Sequence, residues 1–345
     1  VVATGTSSGK SLGYQLPVLT ALAQDPTACA IYLTPTKALG SDQLQATLRM
    51  TNGAGLEGIH PAPYDGDTPV ESRAGIREHT RYVFTNPDML HAGILGSHAR
   101  WARLLRHLKY VVVDECHTYR GVFGANVALV LRRLLRIAHA YGSSPTVIYA
   151  SATAADPAGQ AQRLSGRAAA AVTEDAAPAG ERTIVLWEPG FIEGAEGEGG
   201  APVRYPATTE AASISAELLL QGARTLTFVR SRRAAETVAM RTQEHLVVAG
   251  RADMAQRVAP YRAGYLAEDR RELERRLDEG ELLGVASTNA LELGIDVGGL
   301  DAVVMAGFPG TVASFWQQAG RAGRRGQSSV AVLVARDEPM DTYLV

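Results

Sequence analysis

The chain has 345 residues, which is long enough for two domains that each bury a hydrophobic core. Its 34 basic and 36 acidic residues leave a net charge of −2, which excludes a broadly basic surface. The two cysteines, Cys29 and Cys116, exclude a disulfide framework and indicate a reducing compartment. No apolar run approaches the roughly 18 residues that span a membrane, and no signal peptide is visible. Because Val1 falls inside an apparent strand, we expect the chain to be a fragment.

Apolar runs alternate with helical patterns through the first half of the chain. Runs typical of buried strands lie at 1–3, 28–34, 81–85, 109–113 and 146–150. Residues 127–138 predict a helix that ends at Gly142. A helix after Ser11 is predicted to bury the apolar residues at helical spacing, Leu12, Leu16, Leu19 and Ala23. Strands alternating with helices indicate a parallel, doubly wound sheet.

The rhythm breaks between residues 154 and 206, which are rich in alanine, glycine and glutamate. We place a domain boundary after residue 178 and predict a flexible loop at about 190–204. A short strand is predicted at 183–187, between the boundary and the loop. A second alternating set follows, with strands at 225–229, 282–286, 302–305 and 329–334 and helices at 208–221, 233–248 and 268–279. The chain therefore predicts two α/β domains, 1–178 and 179–345, each with a mainly parallel sheet flanked by helices.

The stretch 110–117, YVVVDECH, places two carboxylates directly after a buried strand. Ligands bind outside the carboxyl ends of parallel strands, so Asp114 and Glu115 are expected to face a crevice. Adjacent carboxylates are costly to bury unless they hold a metal or move protons. The alternative is a solvated strand end.

The segment 4–11, TGTSSGKS, resembles a phosphate-binding loop but departs from the template at Thr4, where a glycine is usual. Its small residues let backbone N–H groups surround phosphate at the start of a helix. Lys10 would reach the β- and γ-phosphates, and the Ser11 hydroxyl would ligate Mg²⁺. A surface turn before a helix is the alternative for the loop alone. Together with the carboxylates, it predicts hydrolysis of ATP, with Asp114 as metal ligand and Glu115 as the base that activates water.

Residues 317–325, QQAGRAGRR, form the densest cationic stretch near glycines. Arginines after small-residue turns can stabilise charge on a transferring phosphoryl group. The chain contains 31 arginines and three lysines, so a solvated helix face is the alternative for this stretch.

At this point eight ordered segments resemble superfamily 2 helicases across residues 2 to about 335. They are GTSSGKS, TPTKALGSDQ, TNPDML, VVVDECH and SAT, followed by FVRSRRAAE, ASTNALELGIDV and QQAGRAGRRG. Thr4, HTYRGVFG and YRAGYLAEDRRELERRL are similar to the mitomycin-repair branch of DNA helicases, near the Ski-type and Lhr groups. The resemblance implies two tandem RecA-like domains, with the arginine finger in the second.

The resemblance also implies roles for individual residues. Catalysis would involve Lys10, Glu115, Arg321 and Arg324. ATP and Mg²⁺ would be bound by Thr6, Ser7, Ser8, Gly9, Lys10, Ser11, Asp114, Gly294 and Asp296. A nucleic-acid backbone would be held by Thr36, Lys37, Thr85, Arg230, Ser231, Ser287 and Thr288, for which capping and turn roles are the alternative. Coupling between the ATP state and domain closure would involve His117, Ser151, Thr153 and Gln317.

The resemblance implies a 3′–5′ DNA helicase that acts in repair, on single-stranded or tailed duplex DNA. A Ski-type RNA helicase shares every motif, and a P-loop ATPase that remodels proteins is a further alternative. We expect no membrane partner, a repair nuclease of unknown identity as a possible partner, and a location in the cytoplasm, on the nucleoid in a bacterium. The adenine-reading segment and the four-cysteine cluster of the resembled branch are absent from this sequence. Phe308, Phe315 and Trp316 could stack on a base or pack in the core.

Overall fold

A computed structural model describes residues 1–5, 8–151, 155–178, 180–262, 264–265, 267–292, 299–323 and 326–345. The chain divides into two compact units, Val1–Ala177 and Pro178–Val345. Six residues with predicted roles lie outside the described residues: Thr6, Ser7, Thr153, Gly294, Asp296 and Arg324.

The first unit is built on a six-stranded sheet in which all pairs are parallel. In chain order its strands are β1 Val2–Ala3, β2 Cys29–Leu33, β3 Ala62–Pro63, β4 Tyr82–Thr85, β5 Leu108–Val113 and β6 Thr146–Ser151. They lie in the order β1-β6-β5-β2-β4-β3. Its helices are α1 Lys10–Gln24, α2 Lys37–Gly53, α3 Ser72–His79, α4 Pro87–Met89, α5 Ala102–Arg106, α6 Gly121–Ala140 and α7 Pro157–Ser165. Because every strand points the same way, the loops that follow the strands meet at one edge, the carboxyl edge.

Side chains on the two faces of this sheet form two cores. On one face, Val111 and Val113 pack with Leu131 and Leu134 of α6 and with Trp101. On the other, alternate strand residues pack with Tyr14, Val18 and Leu22 of α1. Both faces are covered by helices, which is why β2 and β5 read as apolar runs without alternation.

The predicted buried face of α1 is wrong. Leu12 and Leu16 are 62% and 69% exposed. The helix instead buries Tyr14, Gln15, Val18, Ala21 and Leu22. The pattern failed because two of the inward residues, Tyr14 and Gln15, are polar and make hydrogen bonds there. Gln15 Nε2, for example, donates to Thr47 Oγ1 at 2.7 Å.

The second unit is built on a six-stranded sheet whose strands are β7 Arg182–Trp187, β10 Thr225–Phe228, β11 Val258–Tyr261, β12 Gly284–Ser287, β13 Ala302–Ala306 and β14 Ser329–Val334. The strands are all parallel and lie in the order β11-β12-β10-β13-β14-β7. The helices are α8 Ala207–Leu220, α9 Arg232–Val248, α10 Ala252–Ala255, α11 Ala267–Asp278, α12 Val312–Ala319 and α13 Pro339–Leu344. Two cores lie on its faces, one around α8 and α9 and the other around Leu291, Leu300 and Ala319. The predicted fold class, two α/β units with parallel sheets, is confirmed.

The segment predicted as a loop at about 190–204 contains two short strands, β8 Phe191–Glu196 and β9 Pro202–Arg204. They pair antiparallel as a separate two-stranded sheet. The guanidinium of Arg204 lies 4.1 Å from the centroid of the Phe191 ring and forms an ion pair with Glu188 at 2.6 Å. These contacts order a segment whose glycine and glutamate content indicated a loop.

In the part of the chain that the structure describes, none of the helices combines the length and the apolar character needed to cross a bilayer.

Candidate functional site

The loop before α1 is shaped by Gly9. This residue caps the helix with a φ of 75°, a left-handed conformation that costs glycine little. The Lys10 ammonium turns back on the loop and donates to the carbonyl oxygens of Thr4 at 3.1 Å and Gly5 at 3.0 Å. The hydroxyl oxygens of Thr4 and Ser8 lie 2.6 Å apart. The helix therefore begins with its amide groups and a lysine at the carboxyl edge, where an anion is favoured.

The two carboxylates follow β5 at the same edge. Asp114 is 6% exposed, and its Oδ1 accepts a hydrogen bond from the Glu115 backbone N–H at 2.8 Å. Glu115 has a φ of 47°, an uncommon conformation for a residue other than glycine. Its Oε2 lies 3.2 Å from Nδ1 of the buried His117. Such strain is usual at functional sites, where the surrounding structure holds the residue in place.

Two tyrosines hold the other oxygen of Asp114. The Tyr32 hydroxyl on β2 donates to Oδ2 at 2.5 Å. The Tyr14 hydroxyl on α1 lies 3.0 Å from the same oxygen and 2.8 Å from Gln43 Oε1. Burial, and then the charge of Glu115, raise the pKa of Asp114 to about 6, against the opposing effect of the tyrosine hydrogen bonds. The contact from Tyr14 also ties the helix of the phosphate-binding loop to the carboxylate after β5.

Tyr32→Phe tests this network. The change removes a donor to a buried carboxylate, which is worth about 1.5–3 kcal/mol, so the pKa of Asp114 should rise by about one to two units. The predicted role of Asp114 as a metal ligand requires an ionised carboxylate, so that role predicts that activity falls as the pH drops through the pKa of Asp114, and falls at a higher pH in the variant. The pH profile of nucleotide hydrolysis measures the shift.

Tyr82→Phe is the matched control. Tyr82 is buried in the same aromatic cluster, and its ring centroid lies 4.7 Å from that of Phe84. Within the described residues its hydroxyl has no hydrogen-bond partner. An equal shift of the acid limb in both variants would contradict a specific role for Tyr32.

Three of the residues predicted to hold a nucleic-acid backbone lie at the carboxyl edge of the first unit. The Thr36 side chain caps α2 and accepts from the backbone N–H of Leu39 at 3.4 Å. Lys37 forms an exposed ion pair with Asp67, with 2.6 Å between Nζ and Oδ1. The hydroxyl of Thr85 donates to the carbonyl of Tyr64 at 2.7 Å. The edge thus gathers these residues, and Thr36 has the capping role that was left open.

The corresponding residues of the second unit follow β10 and β12. Arg230 pairs with Glu338, with 3.3 Å between Nη1 and Oε2, while Ser231 caps α9 and accepts from the N–H of Ala234. The fully buried hydroxyl of Ser287 donates to the Thr288 carbonyl at 2.9 Å. These four residues also share one edge of their sheet, since β10 and β12 are parallel neighbours.

The start of the arginine-rich stretch is anchored inside the second unit. Arg321 is 8% exposed, and its Nε donates to the Glu292 carbonyl at 3.1 Å. Gln318 Nε2 donates to the carboxylate of Glu292 at 2.8 Å. Gln317 is buried in α12. The end of α12 and the turn after β12 are therefore held together.

The aromatic residues near this helix divide between the two roles considered. Phe308 is buried, and Phe315 packs against the core. Trp316 is 47% exposed, and its ring lies edge-on to Phe315 with centroids 5.3 Å apart. Core packing therefore describes Phe308 and Phe315, and base stacking stays open for Trp316.

Sequence patterns missed four residues that contact the predicted site. Tyr14 and Tyr32 reach Asp114, Asp67 reaches Lys37, and Asp175 accepts from the Gly5 backbone N–H at 3.0 Å. A weak signal existed for Asp67, because it directly follows Asp65-Gly66, and Asp-Gly dipeptides mark turns. A tyrosine near the end of the aliphatic strand β2 was another such signal. Nothing in the sequence pointed to Asp175.

Two family models match the chain. The DEAD/DEAH box helicase model covers residues 1–160, and the helicase conserved C-terminal domain covers residues 210–326. A Bacillus subtilis protein named uncharacterized ATP-dependent helicase YprA is 45% identical over 345 residues. The ATP-dependent helicase HRQ1 of Saccharomyces cerevisiae is 44% identical over 349 residues. The whole chain aligns to each, but it spans only 45% of YprA and 32% of HRQ1.

A solved structure has the same fold. The crystal structure of the DUF1998 helicase MrfA bound to DNA and AMPPNP matches with a TM-score of 0.91 and 44% sequence identity. The match covers 99% of this chain and 47% of that one. With both domain models in order along the sequence, the chain belongs to the superfamily 2 helicases, whose DEAD/DEAH box and C-terminal helicase domains it contains.

Proposed function

We propose that the chain is the motor of an ATP-dependent DNA helicase that moves 3′ to 5′ along single-stranded DNA and acts in DNA repair. The observation that carries the proposal is the contact between Tyr14 of α1 and Asp114 after β5, at 3.0 Å. It brings the lysine-bearing loop and the carboxylate pair to one edge of a parallel sheet. The similarity to MrfA, whose structure contains DNA and AMPPNP, supports the same assignment.

The residues of the first unit fit a triphosphate with Mg²⁺. Each carboxylate oxygen has two lone pairs. Two tyrosines engage Oδ2 of Asp114, whereas Oδ1 accepts only the Glu115 N–H among the described contacts. Oδ1 can therefore still accept from a metal-bound water. No cluster of three metal-ligating side chains occurs among the described residues, which suits Mg²⁺, because this ion takes most of its ligands from phosphates and water.

Each residue at this edge has a distinct task in hydrolysis. Lys10 and the amides of α1 bind the phosphates, and Ser11 and Asp114 would hold Mg²⁺, which supplies positive charge to the phosphate oxygens when bound. Glu115 accepts a proton from the attacking water. His117, 3.2 Å from Glu115, orients that carboxylate. Arg321 and Arg324 would supply positive charge from the second unit.

Nucleic acid would be gripped through its backbone by the carboxyl-edge residues of each unit. The exposed cationic side chains of Lys37 and Arg230 suit phosphate oxygens, and contacts of this kind carry no sequence information. Hydrolysis would move one grip relative to the other and so advance the protein along a strand.

The decisive experiment measures ATP hydrolysis in parallel with no polymer, single-stranded DNA, duplex DNA and RNA. We expect single-stranded DNA to give the strongest stimulation. Stimulation by RNA alone would replace the DNA assignment with an RNA helicase of the Ski type. An ATP hydrolysis rate that no polymer changes would indicate an ATPase that remodels proteins.

Duplexes with a 3′ or a 5′ tail test the polarity, since only the 3′-tailed duplex should be unwound.

Lys37 provides a test of the backbone grip. Lys37→Ala should weaken binding of single-stranded DNA and reduce the slope of log affinity against log salt by about 0.7, the value for one phosphate contact on a single strand. Asp67→Asn should strengthen binding of single-stranded DNA at low salt. The change removes the carboxylate that pairs with Lys37, with 2.6 Å between the charged atoms. Fluorescence anisotropy at several salt concentrations measures both changes.

Lys109→Ala is the control for Lys37. Lys109 is an exposed lysine near the amino end of β5, at the edge of the sheet opposite the proposed grip. Its removal should leave the salt slope unchanged. An equal loss of slope in both variants would show that the effect is one of general charge.

A further inference from the structure

Asp175 joins the phosphate-binding loop to the segment that leads out of the first unit. Its Oδ2 accepts a hydrogen bond from the Gly5 backbone N–H, and its Oδ1 accepts one from the Ala177 backbone N–H, both at 3.0 Å. Ala177 is the last residue of the first unit, and Pro178 is the first residue of the second. One side chain therefore holds both the loop and the junction between the units.

The chain before Asp175 is already fixed beside the loop. Val172 forms a parallel bridge with Val2 of β1. The Ala3 N–H donates to the Val172 carbonyl at 2.9 Å, and the Val172 N–H donates to the carbonyl of Val1 at 2.8 Å. This segment extends the sheet past β1, so only a short stretch must be ordered for the carboxylate to reach Gly5.

The peptide group between Thr4 and Gly5 links Asp175 to Lys10. Its N–H donates to Asp175, and its carbonyl accepts from the Lys10 ammonium at 3.1 Å. Hydrogen bonds at the two ends of one peptide group polarise it in the same sense, and each strengthens the other. Lys10 has three donors, and two of them serve the carbonyls of Thr4 and Gly5. Contact with both a β- and a γ-phosphate therefore requires at least one of these bonds to break.

We propose that Asp175 is a positioning residue that fastens the junction to the phosphate-binding loop until a triphosphate engages Lys10. Loss of the bond from Lys10 to the Thr4 carbonyl, one of the two bonds that can break, weakens the bond from Gly5 to Asp175, and repulsion between carboxylate and phosphates adds to the effect. Occupancy of the loop is thus communicated to the start of the second unit. The inference rests on the proposed function, because it requires ATP at this loop.

Hydrogen exchange at the Ala177 amide of the full chain tests the proposal. In the wild type this amide should exchange about fivefold faster when AMPPNP and Mg²⁺ are present, the factor that corresponds to one ordinary hydrogen bond. In Asp175→Ala it should exchange fast with or without nucleotide. Asp175→Asn, which keeps the shape and one acceptor, should be intermediate and serves if the alanine variant fails to fold.

Two further variants sharpen the test. Glu174 is the exposed neighbour of Asp175. Glu174→Ala removes its carboxylate, and exchange at the Ala177 amide should be the same as in the wild type. In Gly5→Ala the new Cβ would lie 3.0 Å from Asp175 Oδ2, so the carboxylate must shift and the junction should loosen without loss of charge.

Affinity for AMPPNP should rise by about twofold to fivefold in Asp175→Ala, because a competing anion worth up to one hydrogen bond is gone.

A titration of AMPPNP against the same samples separates the two possible failures. If the wild type binds the nucleotide and exchange at Ala177 does not change, the role of Asp175 is overturned while the proposed function stands. The same holds if Asp175→Ala exchanges as slowly as the wild type. If the wild type does not bind the nucleotide, the proposed function itself is overturned.

Discussion

Lys10→Ala is expected to abolish ATP hydrolysis and to weaken nucleotide binding. Lys10 is the first residue of α1, directly after the left-handed Gly9, and its ammonium lies at the carboxyl edge of the sheet. Charge that develops on the transferring phosphoryl group would lose its nearest cation in the first unit. Removal of one such stabilising group typically costs about 10²–10³ in kcat, and loss of ground-state binding adds to the effect. Phosphate release and titration with a fluorescent ATP analogue measure the two losses.

Lys109→Ala is again the control, because it removes a lysine from the same unit without touching the loop. Loss of a charge-stabilising group costs far more than tenfold in kcat. A kcat of Lys10→Ala within about tenfold of the wild-type value would therefore refute the assignment of this loop as the phosphate site. The hydrogen bonds from Lys10 to Thr4 and Gly5 also stabilise the loop. A thermal melt of the variant must therefore accompany the kinetics.

Glu115→Gln should retain ATP binding and lose turnover. The change keeps the shape of the side chain but removes the carboxylate proposed to accept a proton from water, and a positioned general base is worth about 10²–10⁴ in rate. The left-handed φ of 47° comes from the turn that follows β5 and does not depend on the carboxylate, so the backbone is expected to stay in place. A single-turnover assay with ATP already bound isolates the chemical step from binding.

Glu174→Gln makes the same chemical change at an exposed site and should hydrolyse ATP normally. Wild-type turnover in Glu115→Gln would remove Glu115 from the role of base.

The architecture could be predicted from the sequence because both units are built around buried parallel strands. The segments that form β2, β5 and β14 are apolar on both faces of the strand. This apolar pattern can be read from each segment alone, without knowledge of distant residues. The short edge strand β3 has only two residues and gave no such signal. The buried face of α1 was misjudged because burial of Tyr14 and Gln15 depends on partners in α2 and on Asp114, which follows β5.

The chemistry of the candidate site could be predicted only in part. Motif spacing singled out Lys10, Asp114 and Glu115 as candidates, because their residue types follow from what phosphate and water require, and the structure places them at the carboxyl edge of one sheet. Their supporting contacts could not be read in the same way. Tyr32 and Asp114 are 82 positions apart, and Gly5 and Asp175 are 170 apart, so only the folded sheet brings each pair together.

The edge strand β7 has a practical consequence for anyone who wishes to produce the second unit alone. The C-terminal helicase model begins at residue 210, whereas β7 lies at Arg182–Trp187 and pairs with β14 along its whole length. A polypeptide that begins at residue 210 would lack β7. The backbone N–H and carbonyl groups of β14, Ser329–Val334, would then be exposed as a new, apolar sheet edge. Exposed sheet edges pair with strands from other molecules, so the truncated protein should aggregate during expression.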